Sequence, residues 1–435
     1  MEDPKMLFNA TNRDTGNSMY DLIRKLYPIC RSITGNGVRN TLSILKEIIP
    51  IDVVEVPSGT PVLDWEVPDE WNINAAWIKN PEGEKILDFN NLNLHVLNYS
   101  TPVDKEVDLD ELKRHLYTSP EHENWVPYRT SYYTRQWGFC MSHKQYRGLK
   151  EGKYRVKIDS ELTKGSLSYG ELLIPGKSEN EILFVSHICH PSLCNDNLSG
   201  IAVATELANY VTTIERNYSY RFLFIPATIG AITWLSRNES HLHKIKHGVV
   251  LSLLGDKSPF QFKKSRKEQT EVNKIMSYLL ENEYHGKIVE FSPYGYDERQ
   301  FCSPGFNLPV GRLSRNSFGE FPEYHTSADN LDFVTPEGLQ ESFELLAKYI
   351  SIVEGNKTWI NQSPKGEPQL GKYGIYKTTG GESVQKDYQM ALLWLLNLSD
   401  GENSIIDIAE RSGVRIEVLL QACQDLIKVG LLKEA

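Results

Sequence analysis

The chain has 435 residues, 40% of them hydrophobic and 24% charged, with a formal net charge of −10. That length allows two or three domains of ordinary globular composition, and the acidic balance argues against a nucleic-acid partner, whose phosphates want a basic footprint. The six cysteines follow no disulfide pattern, the first residues carry no apolar signal core, and no apolar run nears the roughly 20 residues of a membrane span, so a cytoplasmic protein without membrane association is expected.

Residues from about 17 to 50 predict two amphipathic helices. Leu22, Ile23, Leu26 and Tyr27 share one helical face, and Leu42, Leu45 and Ile48 share another after the Gly35-Asn36-Gly37 break. From about 51 to 162, short β-rich runs such as Asn93–Tyr99 alternate with turn signals, and Trp and Tyr are frequent. This predicts a separate small β domain.

Between about 165 and 352, apolar runs alternate with helical patterns, which predicts an α/β layer with a mainly parallel sheet. Its buried strands are expected at Ile182–Val185, Arg221–Ile225, Gly248–Leu254 and Asn307–Leu313, with a helix from about Ser199 to Ile214. A stretch rich in Gly, Pro and Lys, Asn361–Gly381, leads to a last unit. There, helices are expected at Ala391–Leu398, Ser404–Arg411 and Arg415–Val429, followed by a short wing at Gly430–Lys433.

The run Ile405–Val414 resembles the turn of a winged helix-turn-helix. Its third helix offers Glu417, Gln421, Gln424 and Asp425 beside Arg415 and Lys428, so few groups could meet phosphates. A docking or dimerisation module is expected ahead of DNA binding, and the sequence leaves a homo-oligomer open.

The chemistry concentrates in Ser186–Gly200, at the exit of the first buried strand, where open α/β sheets place their ligand sites. His187, Cys189, His190, Cys194 and Asp196 stand close together there. Far along the chain, Glu323–Asn330 adds His325 in a polar loop. A His187, Asp196 and His325 set leaves a fourth tetrahedral position for water, as in a catalytic rather than a structural zinc site.

These residues resemble a known family. His187, Asp196–Gly200 and His325–Asp329 are similar to the metal motifs of zinc aminopeptidases with a phosphorylase/hydrolase-like fold. More closely, the chain resembles the aminopeptidase-like proteins of polysaccharide biosynthesis, through Asp64–Trp71, Tyr296–Gln300 and Cys302–Gly311. The resemblance implies an α/β fold, a mixed and mainly parallel sheet with helices on both faces. It places the zinc aminopeptidase-like catalytic domain at 1–55 and 165–360, an inserted β domain at 56–164, and a winged helix-turn-helix at 382–435.

It also exposes a departure. Two-metal aminopeptidases of this type carry a Glu-Glu pair after the next strand, the first as general base and the second as a metal ligand. Here the segment reads Phe224-Ile225-Pro226-Ala227-Thr228. Thr228 removes a ligand and favours one zinc ion, and Ala227 stands where close relatives keep the general-base glutamate. Loss of such a base commonly costs about 10²–10⁴-fold in rate. The chain as written is therefore expected to bind zinc but turn over poorly. Either a substitution was made to trap substrate, which the intact surrounding motifs favour, or the chain is a natural pseudo-enzyme.

Where relatives use an aspartate to orient the first histidine, this chain has Cys189, so His190 or a main-chain carbonyl is expected to take that supporting role. Cys189 and Cys194 as ligands, and Asp256 as a further ligand rather than a turn cap, remain alternatives. Tyr294, Tyr296, Asp297, Glu298, Arg299 and Gln300 are expected to form a substrate wall. In that wall a carboxylate would grip an amino group, Arg299 a carboxylate, and Tyr296 an oxyanion. Lys263–Arg266 reads as a solvated basic turn.

The expected activity is release of an N-terminal amino acid from a small peptide or peptide-like intermediate by a zinc aminopeptidase or related amidase. An amino-sugar deacylase and a non-catalytic ligand-sensing regulator are the alternatives.

Overall fold

The alternating apolar runs form an eight-stranded mixed sheet. Its strands in chain order are β1 (Asp52–Pro57), β2 (Ser166–Ile174), β3 (Glu181–His187), β4 (Ser219–Ile225), β5 (Ile245–Leu251), β6 (Gln261–Lys263), β7 (Lys287–Val289) and β8 (Val310–Ser314). The spatial order is β1-β2-β4-β3-β5-β8-β6-β7. The middle of the sheet, β4-β3-β5-β8, is parallel, while β1, β2 and β6 pair antiparallel to their inner neighbours. This computed structural model describes residues 14–317, 320–375 and 382–435. The start of the expected catalytic domain, residues 1–13, and the end of the expected linker, 376–381, lie outside the described residues.

β3 is buried along its whole length, which is why its sequence is a continuous apolar run rather than an alternating one. Phe184 sits at its centre, wholly buried, with its ring centroid 5.2 Å from that of Phe222 on β4. Helices Thr15–Leu26 and Asn36–Lys46 turn their apolar positions inward, with Leu22, Ile23, Leu26, Leu42 and Leu45 buried. The helix Gly200–Thr213 is buried on nearly every side, as an apolar helix against a sheet must be. Gly200 is required at its start. A Cβ there would lie 2.5 Å from the Asn197 side chain and 2.6 Å from the Leu251 carbonyl oxygen.

Between β1 and β2 the chain makes a four-stranded antiparallel sheet, ordered Lys85–Asp88, Glu70–Lys79, Lys153–Thr163, Val103–Asp108. Asn93–Tyr99, expected to be β-rich, is instead a 3₁₀ turn at Asn93–His95 followed by a single bridge from Val96 to Phe139. Its apolar side chains Leu94, Val96 and Leu97 are buried, so burial rather than strand pairing explains that run. The strand expected at Asn307–Leu313 begins only at Val310, because Asn307 adopts a left-handed φ of 48° and Pro309 has no N–H to donate to a ladder.

Residues 14–273 and 284–344 belong to one compact unit, and 274–283 and 345–435 to a second. In the second, helices Glu382–Leu398, Ile405–Ser412 and Ile416–Lys428 accompany a three-stranded sheet of Thr358–Asn361, Asp400–Ser404 and Leu432–Glu434. Ser404 and Asp407 form a reciprocal cap at the start of the middle helix, and Gly413 at φ 68° ends it. On the last helix, Asp425 is engaged by Tyr388, Gln421 and Lys428, leaving an acidic and amide-rich face. Among the described residues, no helix is long and apolar enough to cross a membrane.

Phe184→Ala deletes a wholly buried ring from the middle of the sheet. It is expected to destabilise the larger unit by about 3–5 kcal/mol, seen as a lower denaturant midpoint; an unchanged midpoint would contradict this account of the core.

Candidate metal and active site

The last residue of β3 is His187, paired in register with Ile225 of β4. The Ile188 N–H continues the ladder by donating to the Ile225 carbonyl at 3.0 Å. This register carries both chains off the sheet side by side, so Cys189 comes level with Ala227 and its Sγ lies 3.7 Å from the Ala227 carbonyl oxygen.

The chain then turns through Cys194–Ser199 before entering the buried helix, with non-helical backbone at Asp196 and Asn197. Hydrogen bonds fix that irregular turn completely. The Asn197 amide donates to Ser186 Oγ, the His187 carbonyl and the Leu251 carbonyl at 3.1–3.2 Å. The carboxylate of Asp329 accepts the N–H groups of Asn195 at 2.6 Å and Asp196 at 2.9 Å.

Asp196 itself is wholly buried and faces three histidines. His187 Nε2 lies 2.8 Å from Oδ1, His190 Nδ1 lies 3.3 Å from Oδ1, and His325 Nε2 lies 2.9 Å from Oδ2. Burial by itself would raise the Asp196 carboxyl, but the charge of His190 and the hydrogen bonds from His187 and His325 hold it well below the usual carboxylate range. Burial lowers His187 and His325, against the pull of Asp196. Both rings are thereby kept neutral, the form in which imidazole binds metal.

This set fits a zinc ion. Bonds of about 2.0–2.2 Å put the corners of a tetrahedral site roughly 3.3 Å apart, close to the observed separations. The buried Nδ1 atom of His190, which faces Asp196 Oδ1 at 3.3 Å, has no hydrogen-bond partner, and His187, His190 and Asp196 present ligand atoms within 4.8 Å of one another. The structure thus places His190 among the donors.

His325 arrives by a long-range route. It has a left-handed φ of 56°, and its carbonyl accepts the Tyr128 N–H at 2.7 Å. The Ser327 N–H donates to the Val126 carbonyl at 2.8 Å, and Ser327 Oγ accepts the Val126 N–H at 2.9 Å. The Tyr128 ring then packs edge-on against His190 at 5.2 Å and His325 at 5.1 Å. The segment between β1 and β2 therefore helps build the site, a role that no local motif signals.

Arg31 is a second contributor absent from the sequence reading. It is 1% exposed, and it donates to the carbonyls of Leu26, His190 and Pro191 at 2.8–3.0 Å. Burial lowers its guanidinium to about 10. It holds the backbone that carries His190.

The remaining expected residues separate clearly. Cys189 and Cys194 are buried thiols pushed up by desolvation, and among the described residues the side chains grouped closely enough to hold a metal are His187, His190 and Asp196, without either cysteine. Asp256 accepts from Ser258 and Asn316, which is a turn cap. Lys263, read as part of a solvated turn, is 2% exposed on β6, its ammonium 2.9 Å from Glu298 and 2.7 Å from the Tyr294 carbonyl. A buried cation needs such a partner, and that partner lies 35 residues away, beyond any local pattern.

In the Tyr294–Gln300 wall, Tyr294 is exposed and Arg299 and Gln300 are half-buried, while Tyr296, Asp297 and Glu298 are buried. Tyr296 stacks on His187 at 5.6 Å and 24°. Burial holds its hydroxyl well above its usual value, so it stays protonated as a donor.

Ala227 carries no carboxylate and lines a cavity of about 210 Å³ with Ile33, Trp65, Tyr132, Tyr133 and Ile232. The Tyr132 hydroxyl is 2.8 Å from that of Tyr128, which links this pocket to the histidines.

The family described as "Domain of unknown function (DUF4910)" matches residues 20–356, and a winged helix-turn-helix family matches 357–434. A Clostridium acetobutylicum protein, provisionally named a polysaccharide biosynthesis protein with aminopeptidase-like domain, is 48% identical over 423 residues, 97% of each chain. A crystal structure from Clostridium acetobutylicum, provisionally named a peptidase, has a TM-score of 0.93 at 46% identity over 99% of each chain. The zinc aminopeptidase BSAP from Bacillus subtilis has a TM-score of 0.57 at 13% identity, covering 78% of this chain and 95% of that one. At that identity the likeness concerns the fold alone.

Asp329→Asn replaces one of the two acceptors that hold the Asp196 turn with a donor. It is expected to weaken zinc binding about 10–100-fold, measured against a competing chelator; unaltered affinity would show that the turn holds its shape without that carboxylate.

Proposed function

The chain belongs to the family of the domain of unknown function DUF4910 and carries its aminopeptidase-like domain, and from that premise we propose that it is a zinc-dependent amide hydrolase of exopeptidase type. Its substrate on this reading is a small peptide or peptide-like intermediate from which an N-terminal amino acid is released. The observation that carries the reading is the buried Asp196 carboxylate set between His187 and His325, with His190 beside it.

His187, Asp196 and His325 would hold one zinc ion, with His190 as an adjacent donor. Zinc bound there supplies Lewis-acid polarisation of an amide carbonyl and acidifies water toward a pKa of about 7. The chain's own groups do the rest. Tyr296, protonated and lying against His187, donates to the oxygen on which charge develops. Arg299 and Gln300, half-buried beside it, bind the polar part of the substrate. The aromatic cavity at Ala227 has the size for one apolar side chain, since an engineered cavity of about 150 Å³ accepts benzene.

The relative named for polysaccharide biosynthesis supports a second reading, removal of an acyl group from an amino sugar by the same chemistry. The sequence expectation of an inactive chain turned on position 227 alone.

The test is metal-dependent hydrolysis across a panel of aminoacyl amides and N-acetylated amino sugars, for the zinc-loaded chain and its Ala227→Glu variant. Release of amino acids, abolished by chelation and by His325→Ala, is the expected result. Acetate release from the sugars alone would favour the deacylase. Failure of both proteins on every substrate would sink the hydrolase and return the ligand-sensing regulator.

A further inference from the structure

Two exposed aromatic side chains stand side by side at the cavity beside Ala227. Trp65 is 48% exposed and Tyr133 56%, and their ring centroids lie 5.4 Å apart at 54°. Both rings line the cavity. Aromatic surface left open to solvent around a hollow is the usual lining of a small-molecule pocket.

The surrounding structure sets the position of these rings. Trp65 pairs with Val62 in a tight hairpin whose turn holds Leu63 at a φ of 57°. That hairpin packs against the helix Ile229–Asn238, which starts just after Ala227. Tyr132, next to Tyr133, forms a fixed wall, its ring edge-on to Tyr99 at 6.0 Å and its hydroxyl bonded to that of Tyr128. Ile33 and Ile232 add apolar surface, and none of the lining residues is charged. Such a pocket offers a ligand apolar contact and few hydrogen bonds.

The pocket adjoins the histidines on two sides. β3 and β4 leave the sheet in register, with His187 opposite Ile225. At a strand spacing of about 4.8 Å and a rise of about 3.3 Å per residue, the Cα of Ala227 falls roughly 8 Å from that of His187. The Cys189 thiol, two residues after His187, lies 3.7 Å from the Ala227 carbonyl oxygen. From the other side, the Tyr132 hydroxyl is 2.8 Å from that of Tyr128, whose ring lies 5.2 Å from His190 and 5.1 Å from His325. One amino-acid residue with its side chain covers a span of that order.

We infer that this pocket selects the substrate by seating an aromatic or large branched apolar side chain next to the scissile amide, with Trp65 and Tyr133 as its specificity-determining residues. The inference rests on the amide-hydrolase reading above and names the substrate class for it. The cavity of about 210 Å³ is larger than the roughly 150 Å³ that accepts benzene. A phenyl or leucyl group therefore enters, whereas an alanyl methyl would leave most of the space unfilled. The small side chain of Ala227 helps keep that space open. An acetylated amino sugar fits badly, because its hydroxyls would exchange water for apolar walls with few partners.

The experiment compares the zinc-loaded chain with Trp65→Ala, Tyr133→Ala and Tyr133→Phe on phenylalanyl-alanine, alanyl-phenylalanine and alanyl-alanine. One of the two phenylalanine peptides should exceed alanyl-alanine in kcat/KM by about 10–200-fold, and which one it is tells the side of the bond that the pocket serves. Trp65→Ala and Tyr133→Ala should each cut that ratio about tenfold, while Tyr133→Phe, which keeps the ring, should retain it. Calorimetric binding of phenylalaninol and alaninol, neither of which has an amide to cleave, gives a readout besides turnover. Phenylalaninol should bind about tenfold or more tightly than alaninol, and the difference should shrink in both alanine variants.

Equal kcat/KM for all three dipeptides overturns the inference and leaves the hydrolase reading standing. So does a phenylalanine preference that survives in both Trp65→Ala and Tyr133→Ala. If the chain hydrolyses none of the dipeptides, the Ala227→Glu panel above decides the hydrolase reading and the binding comparison decides the pocket. In that comparison, equal affinity for the two amino alcohols overturns the inference, as does tighter binding of N-acetylglucosamine than of phenylalaninol.

Discussion

The carboxylate of Asp196, buried and shared between His187 and His325, is the constraint around which the larger unit is arranged. A lone carboxylate at full burial would neutralise itself or unfold its surroundings. Here the charge of His190 and the hydrogen bonds from His187 and His325, one on each oxygen, keep it ionised, and Asp329 fixes the backbone beneath it. On the zinc reading proposed above, the same short separations would become edges of a coordination sphere, and metal binding would exchange protons for the ion with little movement of the chain. The turn at Cys194–Ser199, the ladder register at His187 and the Asn197 amide network all serve to hold one carboxylate still.

Four distant parts of the chain converge on that carboxylate. β3 and the turn after it bring His187, His190 and Asp196 at the carboxyl edge of a parallel sheet, where the ladder ends and backbone groups are free to meet a ligand. The 323–330 loop brings His325. The segment between β1 and β2 supplies Tyr128, whose backbone receives His325 and whose ring lies against two of the histidines. Arg31, from the loop between the two N-terminal helices, closes the fourth side through the His190 and Pro191 carbonyls. A parallel sheet makes this convergence inexpensive, because all its inner strands end at the same edge.

A second buried polar group, Lys263 with Glu298, shapes the opposite wall. Arg312 lies 3.9 Å from the same carboxylate and stacks near Tyr296. Such a cluster contributes modestly to stability but strongly to position, since losing either partner strands a buried charge. It is what keeps Tyr296 against His187.

Local chemistry in the sequence determined a good deal. The apolar run of β3, the helix after Gly200, the winged-helix helices and the residue types His187, Asp196 and His325 are all legible because strand burial, helix periodicity and ligand preference act over short stretches. What could not be read depends on partners far away. Asn93–Tyr99 looks like a strand because burial and strand pairing leave the same apolar signature. Lys263 looks solvated because its counter-charge is 35 residues distant. His190 reads as a supporting residue until the turn brings it beside Asp196, and Asp297 reads as one polar side chain among several until its full burial is seen. Sequence by itself determined which residues are capable of the chemistry. Only the tertiary structure decided which of them share one dry space, because burial and distance between remote segments exist only in the folded chain.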